Sequence, residues 1–90
     1  MAVKLNLAKA KPGPVDDPLH FHQTRITYFC VLSGELCLEV GGESVSLTKH
    51  RVLEILPNEQ YRVVSAGHDG CEWLVIGSHS EDDRVEVQTS

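Results

Sequence analysis

The stretch Leu36-Cys37-Leu38-Glu39-Val40-Gly41-Gly42 leaves a chain of this kind few folds to choose from. Leu36, Leu38 and Val40 alternate with Glu35, Cys37 and Glu39, and a period of two places the apolar set on one face of a strand. Gly41-Gly42 supplies the positive-φ residues of a two-residue, mirror-image hairpin turn, after which Val45 and Leu47 return inward. Residues 26–32 are β-branched and aromatic, residues 52–56 and 61–65 read as further strands, and residues 71–76 as the last strong one. The breaks fall at Ser33-Gly34, at Pro57-Asn58 and at residues 66–70, a turn by composition. Residues 2–8 alternate loosely as an edge strand that Lys11-Pro12-Gly13-Pro14 ends. No stretch keeps a helical period. Short strands with turn signals every 8–12 residues or so indicate an all-β sandwich or barrel.

Ninety residues make one domain, 1–90, with a thin core: such a chain buries about 60–65% of the surface it exposes unfolded. Dimerisation is a common remedy, and a homodimer is expected. Residues 84–87 are then an exchanged or edge strand, or a frayed tail. Eight Lys and Arg face thirteen Asp and Glu, a net charge of −5, which argues against nucleic acid or an anionic membrane as partner. Three cysteines, Cys30, Cys37 and Cys71, have no C-x-x-C spacing and read as free thiols of a reduced compartment. Residues 1–11 lack the apolar run of a signal peptide, and no run spans a bilayer. A cytoplasmic location is the default expectation.

The chemistry centres on Leu19-His20-Phe21-His22. Two histidines one residue apart on an extended backbone point to the same side, so both imidazoles enter one cavity if that side is the inside of a barrel. Neutral imidazole suits Zn, Fe, Mn, Ni or Cu, yet two imidazoles alone make a weak site.

The chain resembles the cupin superfamily over about residues 12–77. That family carries G-x5-H-x-H-x3,4-E-x6-G followed by G-x5-P-x-G-x2-H-x3-N. His20 and His22 match the paired histidines, Gly34 the glycine closing the first block, and Pro57 the proline of the second. Thr27 (or Ile26) stands where the glutamate ligand belongs, Arg51 and Glu59 replace two glycines, and Arg62 replaces the last histidine. The resemblance implies a cupin-type jelly-roll β-barrel, a double-stranded β-helix. In many members the three histidines and the glutamate hold one divalent transition metal. Here two of those four ligands are missing.

Glu54, an acid inside the apolar run 52–56, is the substitute ligand to consider, unless it faces outward as a solubilising charge or pairs with Arg62. If Arg62 keeps the inward direction of the histidine it replaces, it brings a fixed positive charge into the cavity and favours a carboxylate or phosphate ligand. Thr27 and Tyr28 then complete the ligand contacts. Tyr28, Phe29, Tyr61 and Trp73 read first as core or dimer packing, and His50, His68 and His79 as exposed. The sequence thus favours a small-molecule-binding cupin with a degenerate metal site. Its rival is a metal-dependent oxygenase, isomerase or lyase built on His20, His22 and Glu54.

Overall fold

A computed structural model describes residues 3–79 and 83–87. Glu81 and Asp82, two of the three acids in the run Glu81-Asp82-Asp83, lie outside the described residues. The elements are β1 (Lys4–Ala10), β2 (Gly13–Pro14), β3 (His20–His22), β4 (Thr27–Val40), β5 (Glu43–Thr48), β6 (Val52–Ile55), β7 (Tyr61–Gly77) and β8 (Arg84–Glu86). All their pairings are antiparallel. The path runs β5-β4-β7-β3-β8, with β1 and β2 also on β7 and β6 also on β4, the jelly roll the sequence led one to expect. Among the described residues no helix is long and apolar enough to cross a membrane.

Two strands are longer than expected. Residues 26–32 and 35–40 join into one strand, β4, and the turn expected at residues 66–70 is instead the middle of β7. Both strands bend rather than stop. Their shared ladder slips at Val31/Ser33, Gly34/Leu36 and Cys37/Leu38, and such bulges add twist without breaking pairing. At the bend Gly34 has φ 81°, and a Cβ there would sit on the Gly70 carbonyl oxygen. Turn-like composition here marks irregular backbone inside continuous strands, not the turn expected at residues 66–70. The Gly41-Gly42 hairpin does form as expected, with φ values of 57° and 84°.

The core lies between the two bent halves. Val31, Leu36 and Leu38 are fully buried, joined by Phe29, Leu47, Ile55, Tyr61, Val63 and Trp73. Each such side chain contributes about 1.5–3 kcal/mol relative to exposure. Alternation then fixes the outer face. With Phe29, Trp73 and Ile55 inward, Tyr28, Cys30, Leu74, Ile76, Val52 and Glu54 point out, opposite Leu5 and Leu7 of β1 in register. Cys71 is buried, Cys30 and Cys37 are half-buried, and all three are free thiols. Within the chain the terminal strands are paired, β1 with β7 and β8 with β3.

Candidate functional site

β3 is only three residues long, yet it is tied on every side. His20 stands opposite both Tyr61 and Glu86, and His22 opposite Arg84. The His22 carbonyl accepts from Asn58 N at 2.7 Å, and the Leu19 carbonyl accepts from Val87 N at 2.8 Å. The period-two geometry holds: His20 and His22 are buried, Phe21 between them is not, and both rings face one cavity of about 410 Å³. Apolar walls come from Phe29, Val63, Trp73 and Val75, and charged ones from Lys4, Arg25 and Arg84 with Asp16 and Asp17.

The two histidines have different partners. His20 Nδ1 donates to the Pro18 carbonyl at 2.7 Å, which leaves Nε2 as the acceptor nitrogen. Burial, above all, pushes the pKa of His20 down, with Arg84 and His22 adding to the effect. His22 Nδ1 instead donates to Asp83 Oδ1 at 2.9 Å, and its Nε2 accepts from the Tyr61 hydroxyl at 3.1 Å. Burial raises the pKa of Tyr61, so the phenol stays protonated at neutral pH.

Asp83 is the anchor of this set. Its Oδ2 accepts from Thr24 N at 2.6 Å, Thr24 Oγ1 at 2.8 Å and Arg25 N at 2.9 Å, while Oδ1 accepts from His22 Nδ1. Burial alone would raise its pKa; the hydrogen bonds from Thr24, His22 and Arg25 outweigh that and hold the carboxyl well below the usual range. His79, expected to be exposed, is half-buried here, with Nε2 3.0 Å from Thr24 Oγ1.

The other residues singled out from sequence do not join the histidines. Glu54 is exposed on the outer face opposite Tyr28, where its carboxylate raises the pKa of the Tyr28 phenol through a hydrogen bond. Arg62 is also exposed and pairs with Glu39 at 3.5 Å, not with Glu54. Thr27 is buried behind Tyr61. The reason is register. Tyr61 lies opposite His20, so the residue facing the histidines is Tyr61, one position before the place counted from the motif, and a one-residue offset swaps faces. The alternation of Tyr61 and Val63 around Arg62 carried that signal. Asp83 carried none, because a carboxylate in an acidic run is ordinarily solvated.

The donors at the site are already largely engaged within the chain. His22 has both ring nitrogens engaged, His20 has one, and among the described residues no group of three His, Cys, Asp or Glu side chains converges as a metal site. The described residues do not fit a resident transition metal.

The family profile described as Cupin domain matches residues 6–77. The chain is a cupin. No curated protein sequence matches it. Among solved structures, the nucleoside dehydratase Pac13 of Streptomyces, also crystallised as variants with uridine, superposes with TM-score 0.82 at 13% identity, over 97% of this cupin and 69% of that chain. A conserved protein with a double-stranded β-helix domain from Klebsiella pneumoniae gives 0.84 at 16%, over 97% and 76%. A cupin protein from Bacteroides fragilis gives 0.67 at 24%, over 97% and 70%. At these identities the likeness is one of fold.

Proposed function

We propose that this cupin binds a small, anionic molecule in the cavity between His20, His22, Tyr61 and Trp73. One observation carries the reading. In a chain of net charge −5, the cavity is lined by three permanent cations, Lys4, Arg25 and Arg84, against two carboxylates. One of these, Asp17, already accepts from Val63 N at 2.8 Å and lies 3.4 Å from Arg84. A partly apolar pocket of this size with a few converging polar groups is the usual form of a small-molecule site. The cations take the role assigned to Arg62 from the sequence, and His20 and Tyr61 replace Thr27 and Tyr28 as ligand contacts. Variants of Pac13 are solved with uridine, which supports this fold as a small-molecule scaffold.

Calorimetric titration with uridine, uridine monophosphate, 2-oxoglutarate and its neutral diester tests the reading. The anions are expected to bind, with a Kd that weakens as salt rises, and the neutral counterparts to bind at least ~10-fold more weakly, or about 1.4 kcal/mol. Equal binding of neutral and charged members refutes it.

The assembly we propose is a homodimer through the outer sheet face. Leu5 and Leu7 are 62% and 58% exposed beside Leu74 and Ile76, with Val52 across the same face. A second copy of the same face covers this apolar surface, which the thin core of a small domain leaves outside. The Lys9–Glu72 pair, 3.3 Å apart at its margin, supplies both charge signs for an isologous contact. Sedimentation of the full chain is expected to give a dimer that Leu7→Asp converts to a folded monomer; a monomeric parent chain refutes it. Three free thiols support a reducing, cytoplasmic location.

A further inference from the structure

Asp83, His22 and Tyr61 form a line of hydrogen bonds that starts on a carboxylate and ends on a phenol at the cavity wall. A buried polar network that served packing alone would gain nothing from opening on a polar pocket. This one opens beside His20, whose ring lies 4.3 Å from that of Tyr61, and beside the cations described above. Resting on the anion-binding reading, we infer that the line is a proton relay and that the cavity enolises its ligand, a small anion with a C–H next to a carbonyl.

The step balances with groups present. The C–H bond breaks and its electron pair forms the new C=C as the carbonyl π pair moves onto oxygen. The proton passes to the Tyr61 oxygen while the Tyr61 proton passes to His22 Nε2. His22 becomes an imidazolium held between the phenol and the Asp83 carboxylate, and the negative enolate faces the cationic wall. Reversal returns a proton to the same carbon, which is exchange, or to a neighbouring one, which is isomerisation. No oxidant, reductant or co-reactant enters.

The two imidazoles are suited to different parts. The Asp83 carboxylate fixes the His22 proton on Nδ1, so Nε2 faces the Tyr61 hydroxyl as an acceptor. His20 Nδ1 donates to a backbone carbonyl, with the Asp17 carboxylate farther off at 4.0 Å; burial outweighs both and favours the neutral ring, with Nε2 able to accept from a ligand hydroxyl. Asp83 touches no ligand. It is a positioning residue that fixes the tautomer of His22.

The test incubates the full chain in D2O with 2-oxobutyrate, 2-oxoglutarate or dihydroxyacetone phosphate, following loss of the proton signal next to the carbonyl by NMR. Saturation transfer on the same samples reports binding separately. At least one probe is expected to exchange faster than in buffer, and Tyr61→Phe and His22→Gln each to lower that rate by about 10²–10⁴-fold while the probe still binds. Asp83→Asn should lower the rate and also move the His22 proton from Nδ1 to Nε2 in ¹⁵N spectra; an unchanged rate with the tautomer moved overturns its positioning role. Binding without exchange, or exchange that survives in both Tyr61→Phe and His22→Gln, overturns the relay and leaves the binding reading standing. No binding by any probe overturns both.

Discussion

Replacing Asp83 by asparagine tests the site and the fold together. The carboxylate accepts four hydrogen bonds, from Thr24 N, Thr24 Oγ1, Arg25 N and His22 Nδ1. Asparagine has one acceptor oxygen. Placed toward the Thr24 and Arg25 donors, it turns its NH2 toward His22 Nδ1, and two donors then face each other unless His22 changes tautomer. A hydrogen bond to a charged group is worth about 1.5–3 kcal/mol and a neutral one about 0.5–1.5. Losing the charge therefore costs roughly 1 kcal/mol per bond, less for the exposed Thr24 contacts, or about 2–4 kcal/mol in all. For a domain of this size that is a fall in Tm on the order of 10–20 °C.

The sign with pH follows from the depressed pKa of Asp83 in the fold. Stability from such a group is complete above the unfolded value of about 3.9 and is lost as pH falls toward the folded one. Urea unfolding, followed by the fluorescence of the single tryptophan, Trp73, is thus expected to separate parent and Asp83→Asn widely at pH 7. The gap should narrow steadily below about pH 4. A gap under about 0.5 kcal/mol at pH 7, or one of the same size at pH 7 and pH 3, refutes the argument.

His20 has a lowered pKa in the fold, so its contribution is complete above about 6.5 and is lost as pH falls below that. The urea midpoint should drop between pH 8 and pH 5.5, and His20→Gln should flatten that slope; an unchanged slope refutes the assignment. Gly34→Ala forces a Cβ onto the Gly70 carbonyl at φ 81° and should lose more than about 2 kcal/mol by urea unfolding. Glu54→Gln and Arg62→Gln alter only the exposed outer face, so stability should stay within about 0.5 kcal/mol and anion affinity should hold by titration. A tenfold loss of affinity in either would return that residue to the site.

How much of this was legible in the sequence depends on the range over which each feature is determined. The hairpin at Gly41-Gly42 and the shared direction of His20 and His22 follow from local geometry, and both appear as read. The site beyond the histidines depends on register between distant strands. Counting along a motif selected Arg62, whereas pairing with His20 selects Tyr61. Glu54 looked costly to bury because its neighbours are apolar, but this sheet is apolar on its outer face as well, so apolar neighbours did not mean an inward direction. Asp83 becomes a site residue only because β8 pairs with β3, a contact made across some sixty positions that no local pattern announces.

The central place of β7 bears on how the chain acquires its structure. β1, β2, β3 and β4 all pair with residues between Tyr61 and Gly77. A chain synthesised from its amino end therefore exposes its first three strands, including both histidines, before their common partner exists. Such long-range pairings fold in milliseconds to seconds, not microseconds. Until then Leu5 and Leu7 sit on an unpaired edge, open to pairing with another nascent chain. Assembly of the sheet is thus set by the emergence of a single late strand, and the interval before it is when this protein is most exposed to misassociation.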